Sequence, residues 1–309
     1  PEYDTWFEGI RYMYTEYGKK FAENGTTAII GTGSAPGVMC VVARKAVNEL
    51  DECDTINCMV YEGTRSKRFI PFWWSPVTAL CDMEEDAFAF ENCEHIRTKP
   101  FSRPVKRNWP ECGREVTLVE HAHDEPVYIG FNREKYFKNC KNAYFKYGGT
   151  GIEFSEGLYK AGLLHHEEEE FNGVKISPFD WVLAHVPAAP KDPEVIKEII
   201  DEGIVEDNGA FVCEAYGQKD GKNVMVDLHL CAPGIEEAYE KAKMSGEMYL
   251  TGQGAFLYTK LFVNEMITQK GLISSDMLDD DQVEQYLAWA AELGITYNIE
   301  IKEGVVCED

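Results

Sequence analysis

Gly31-Thr-Gly-Ser-Ala-Pro-Gly37 joins a short β-branched run, Thr26-Thr-Ala-Ile-Ile30, to a helical one, Val38-Met-Cys-Val-Val-Ala-Arg-Lys-Ala-Val-Asn-Glu-Leu50. A glycine-rich turn from strand to helix brings backbone N–H groups close to a pyrophosphate or a cofactor ring. Two readings of it stand. In the first it is a dinucleotide fingerprint, although Gly31, Gly33 and Gly37 are spaced more loosely than G-x-G-x-x-G. Glu62, after the next strand Ile56–Tyr61, then meets a ribose, and Arg65, Lys67 and Arg68 meet a 2′-phosphate. In the second it is a later turn of a nucleotide-binding domain. Pro36 keeps Ala35 out of the helical region and is expected at the first helical position.

Working outward, the segment from Asp4 to Ala22 reads as a helix ended by Asn24-Gly25. The order to residue 61 is therefore α-β-α-β, a parallel-sheet signature. Beyond Gly63, six prolines between Pro71 and Pro126 break the chain into short pieces. Among them are a helix opened by Ser75-Pro76 and a strand over Val116–His121. Asp192-Pro193 opens a helix that Gly203 stops. Ala210–Tyr216 and Val224–Leu230 flank Lys219-Asp-Gly-Lys222 and predict a hairpin, with Val224, Val226, Leu228 and Leu230 on one face. That apolar face is long enough to predict pairing of chains through the sheet. The end is helical again, from Gly254 to Ile267 and from Gln282 to Leu293.

With 44% hydrophobic and 27% charged residues, the 309-residue chain reads as an ordinary globular protein with an ample core. No run reaches the length of a membrane helix, and no signal segment opens it. Pro1 in place of Met suggests a fragment or a processed product. The net charge of −24 repels nucleic acid and anionic membrane, so neither is expected as a partner. Ten cysteines without a C-x-x-C pair, scattered through apolar runs, read as free thiols in a reducing cytoplasm.

Phe72-Trp73-Trp74-Ser75-Pro76-Val77-Thr78 sets two indoles beside a helix N-terminus, either as a substrate wall with N–H donors or as core followed by a Ser cap. His121-Ala-His123-Asp-Glu125 offers an acid/base pair. A chelate there lacks a third ligand, and no metal is assigned. His165-His166 and the acids after them read as a solvated loop. Without a G-x-S-x-G elbow, a Walker lysine or H-E-x-x-H, hydrolase and phosphotransferase chemistry has no residue support.

Taken together, these residues resemble the saccharopine dehydrogenase family of saccharopine reductases and carboxynorspermidine dehydrogenases. The resemblance lies in Phe21–Gly37 with its closing Pro-Gly, in Trp74-Ser-Pro-Val-Thr78, in His123-Asp-Glu-Pro126, and in the stretch from Thr251-Gly252 through Lys270-Gly-Leu-Ile to Gly294-Ile. It covers nearly the whole chain, in short motifs. The family's turn usually carries an acid before Pro-Gly, where Ala35 stands here. Its dinucleotide fingerprint lies upstream by roughly a hundred residues, one half-domain, so the resemblance implies the later-turn reading.

It further implies an α/β fold. Trailing elements of a Rossmann-like domain (1–57 and the C-terminal helices, 251–309) surround an α+β substrate and dimerisation domain (58–250) with a mixed, largely antiparallel sheet. The implied activity is NAD(P)-dependent hydride transfer at the C–N bond of an imine or amine derived from an amino acid or diamine. A missing N-terminal segment then holds most of the cofactor. Thr32, Gly33, Pro36 and Gly37 are the implied cofactor-facing residues, and Trp73, Trp74, Ser75 and Thr78 the implied substrate-pocket residues. His123 and Glu125 are the acid/base pair, and a homodimer is implied. A non-catalytic binding or assembly module that keeps this fold is the alternative.

Overall fold

Strand Glu52–Glu62 is the middle of a nine-stranded mixed sheet, in a computed structural model that describes residues 6–307. Asp4 and Thr5, with which the sequence reading opens the first helix, lie outside the described residues. Most residues of this strand are buried whether apolar or polar, Thr55 and Asn57 included, as in a central strand covered on both faces. It runs antiparallel to Ala210–Lys219 and parallel to Asn142–Gly149. The other pairings are antiparallel, out to Thr296–Glu303 at one edge and Glu94–Thr98 at the other. Strand Val116–Glu120 pairs with Asn142–Gly149 and carries the chain to the site.

The hairpin forms as its turn residues dictate. Asp220 and Gly221 both take positive φ, 51° and 72°, the geometry that matches strand twist. Val224, Val226, Leu228 and Leu230 share one sheet face with Cys213 and Ala215, and all are buried. Helix Val38–Asn48 covers that face with Val38, Met39, Val42, Ala46 and other apolar side chains. The face predicted to pair chains is thus filled from within the chain, because this helix is apolar almost all round.

Four expectations need correction. The helix placed from Gly254 begins at Gly246, where Ser245 accepts the Met248 N–H at 3.3 Å, and ends at Val263. Gly271 does not merely stop a helix. It starts strand Gly271–Ser274, which pairs in parallel with Thr27–Ile30. Thr296–Glu303, not foreseen, is the edge strand of the main sheet. Pro36 is not the first helical residue, since Gly37 caps the helix and Val38 begins it. The pairing of strands 27–30 and 271–274 sets the glycine turn against helix Gly246–Val263, whose Gly254 lets the Gly33 carbonyl approach closely.

Candidate active site

The turn is closed on itself. Gly33 and Gly37 form a bridge, the Val38 N–H donates to the Gly33 carbonyl at 3.0 Å, and the Met39 N–H donates to Ser34 at 2.9 Å. Gly37 has φ +135°, and a Cβ there would lie 2.1 Å from the Gly33 oxygen. A phosphate cradle needs those first helical N–H groups free. Here the turn uses them, so the fingerprint reading fails. Its supporting residues are also engaged elsewhere. Glu62 is buried and accepts the Tyr147 hydroxyl. Arg65 pairs with Glu153 at 2.7 Å, and Arg68 with Glu198 at 3.1 Å.

What the turn does instead is rim a cavity of about 210 Å³ through Ala35 and Pro36, joined by a cis peptide bond. Opposite stand Trp74 and Thr78, with Asp82 one turn further along helix Pro76–Glu84. His123 and Asp124 close the cavity from the loop after strand Val116–Glu120. Pro36, Trp74, Thr78 and His123, separate in sequence, therefore share one space. Thr32, Gly33 and Gly37 belong to the turn behind it. Ser75 is the helix cap, accepting the Thr78 N–H at 3.4 Å, and does not line the cavity. Trp73 points the other way, its indole N–H on the Thr64 carbonyl at 3.0 Å and its ring packed with Ile70, Ile199 and Ile235.

His123 stacks flat on Phe145, ring centres 4.0 Å apart, and its Nδ1 is bonded to Oε2 of the fully buried Glu125. Burial alone would lower its pKa. The Glu125 carboxylate, with Asp124 and Asp82 beyond it, overrides that and raises it to about 9, so the ring is an imidazolium at neutral pH. His121 is buried with both ring nitrogens unpartnered, and burial followed by the nearby His123 charge pushes it down to about 3. Asp82 is raised to about 7 by burial, against the pull of His123. Among the described residues no group of three His, Cys, Asp or Glu could hold a metal ion.

Behind the paired tryptophans lies a second cavity of about 200 Å³, lined by Trp73, Glu62 and Glu247. Burial and the Glu247 charge raise Glu62 to about 8. Glu247 accepts the hydroxyl of Ser34 at 3.1 Å, which takes that of Thr251 at 3.0 Å. Sequence reasoning missed Asp82 and Glu247, and read Glu62 only as a ribose ligand. The signals were faint: Asp82 lies four residues after Thr78, and Glu62 is a lone acid closing an apolar strand.

No family model matches the chain. The carboxynorspermidine synthase of Vibrio alginolyticus is 27% identical over 294 residues, spanning 92% of this chain and 65% of that protein. That of Vibrio cholerae is 26% identical over 285 residues, 91% and 64%. The carboxyaminopropylagmatine dehydrogenase of a Synechocystis strain is 22% identical over 295 residues, 91% and 67%. The chain is a homologue of the carboxynorspermidine synthases, a saccharopine-dehydrogenase-like family. It spans about two thirds of the length of these curated relatives. Apo saccharopine dehydrogenase (L-Glu forming) of Saccharomyces cerevisiae superposes with a TM-score of 0.59 over 93% of this chain and 76% of that one, at 13% identity. The saccharopine-dehydrogenase-like fold, with its mixed sheet, thus persists where sequence likeness has nearly gone.

Proposed function

We propose that the chain belongs to an NAD(P)-dependent oxidoreductase acting on the C–N bond of an imine or amine derived from an amino acid or diamine. The observation that carries this reading is the charged pair His123–Glu125 facing an acid-lined cavity beside the glycine turn. The printed names of the relatives, carboxylated derivatives of norspermidine and agmatine, support an amine substrate.

The first cavity's residues fit the ring end of a nicotinamide, with Ala35, Pro36 and Trp74 as an apolar wall. At about 210 Å³ it is smaller than the roughly 300–1,000 Å³ of pockets that enclose a drug-sized ligand. The Val38 and Met39 N–H groups are bonded within the turn and are not open to a pyrophosphate. We therefore propose that residues 1–57 and 251–309 accompany a nucleotide-binding part whose phosphate site lies outside the described residues, with 58–250 binding substrate.

The bound nicotinamide supplies hydride chemistry, and the protein supplies orientation and proton control. Asp82 and Asp124 attract a cationic amine, and Trp74 limits where its carbon chain lies. His123, held as an imidazolium by Glu125, donates a proton to nitrogen as charge changes at the C–N bond. Titrating NADPH against the chain and against the full-length protein tests the cofactor part. Binding by the full-length protein is expected, and no affinity in either form would favour a non-catalytic module.

A further inference from the structure

Strand Asn142–Gly149 turns alternate side chains to one face, and Phe145 and Tyr147, both buried, stand there two residues apart. His121 and His123 have the same spacing on the loop beyond strand Val116–Glu120. The rings meet in step. His123 lies on Phe145 with ring centres 4.0 Å apart and 12° between the planes. His121 lies on Tyr147 at 5.0 Å, tilted by 47°. The charged ring is the one that lies flat.

A buried aromatic beside a histidine is ordinary packing, and His121 on Tyr147 needs no other account. His123 differs in what holds it. Its bond to Glu125 through Nδ1 fixes one edge of the ring and leaves the plane free to turn about that edge. Phe145, 1% exposed, fixes the plane. An aromatic face carries negative charge density and attracts a cation within about 6 Å of its centre, more strongly where water is excluded. The charged groups that face His123 are Asp124 and Glu125 at the start of helix Glu125–Tyr136, Asp82 on helix Pro76–Glu84 and Glu247 on helix Gly246–Val263. Neutral His121 faces it from the same loop, ring centres 6.1 Å apart. From strand Asn142–Gly149 the group that meets the ring is the Phe145 face.

We propose that Phe145 is a positioning residue for His123: its ring face sets the imidazole plane and stabilises the positive charge. With Nδ1 taken by Glu125, Nε2 is the nitrogen that remains for the cavity. This rests on the proton role given to His123 above. NMR titration of His123 in the full-length protein tests it and needs neither amine nor nicotinamide. With Phe145 replaced by monofluoro- and then trifluorophenylalanine, the ring keeps its shape while its face loses negative charge. The His123 titration is expected to fall stepwise, by at least about half a pH unit across the series, and by at least as much in Phe145→Leu. Water admitted beside a smaller side chain would relieve burial and act in the opposite direction, so the sign identifies the ring face. The alkaline limb of kcat/KM is expected to move down by the same amount. A titration unmoved by fluorination overturns the proposal, even where Phe145→Leu loses stability or activity, since core packing accounts for that. A titration that falls as expected in a protein without nicotinamide oxidation upholds the pair and sinks the parent reading, so the two fail separately.

Discussion

His121 and His123 are two residues apart and titrate in opposite directions. His121 is buried and His123 mostly so, but only His123 has a carboxylate on its ring nitrogen. Its raised pKa favours the folded state fully below the ordinary value of 6.5, and that contribution is lost as pH rises through about 9. Glu62 acts in the same direction. The fold keeps its proton between 4.5 and about 8, where the unfolded chain has released it, so stability falls across that window too. In Glu125→Gln the His123 titration seen by NMR is expected to drop by at least about one pH unit, since burial then meets only the more distant Asp82 and Asp124. An unmoved titration would remove Glu125 from the account. The two tryptophans also separate. Trp73→Ala is expected to cost about 3–5 kcal/mol in denaturant unfolding, being core. Trp74→Phe is expected to raise KM with the melting temperature nearly unchanged, and a large stability loss with normal kinetics would return Trp74 to the core.

At the scale of elements, the glycine turn is held by its own bridge and hydrogen bonds. Gly37→Ala forces a Cβ onto the Gly33 carbonyl at positive φ, and a loss of about 2 kcal/mol or more is expected from urea unfolding. A neutral result would mean the turn is looser than its bridge implies. What was legible in the sequence was local. Asp220-Gly221 announces its hairpin and Ser75-Pro76 its cap, because the residues that set the backbone sit together. Strand Gly271–Ser274 was not legible, since its partner is more than two hundred residues away and only four residues pair. Thr296–Glu303 carried a signal that went unread: Tyr297, Ile299 and Ile301 alternate with polar residues, the period of a strand. Likewise, the motifs found Pro36, Trp74, Thr78 and His123, but only folding reveals that they share a cavity.

For the whole molecule, the net charge of −24 is not spread evenly in its consequences. Most acids are solvated or paired, as Arg65 and Arg68 show on the surface. Some of them line the cavities: Asp82, Glu85 and Asp124 line one, and Glu62, Asp207 and Glu247 line the next. The hairpin's apolar face is covered by helix Val38–Asn48, so it offers nothing to a second chain. Among the described residues no helix is long and apolar enough to cross a membrane. The central claim is that His123 controls a proton during nicotinamide-dependent chemistry at a C–N bond. Its most direct test is nicotinamide oxidation by the full-length protein given an amine and a carbonyl compound. Oxidation that requires both, and falls at least about 100-fold in kcat/KM with His123→Gln, is the predicted result. Oxidation indifferent to the amine, or undiminished in His123→Gln, would contradict it.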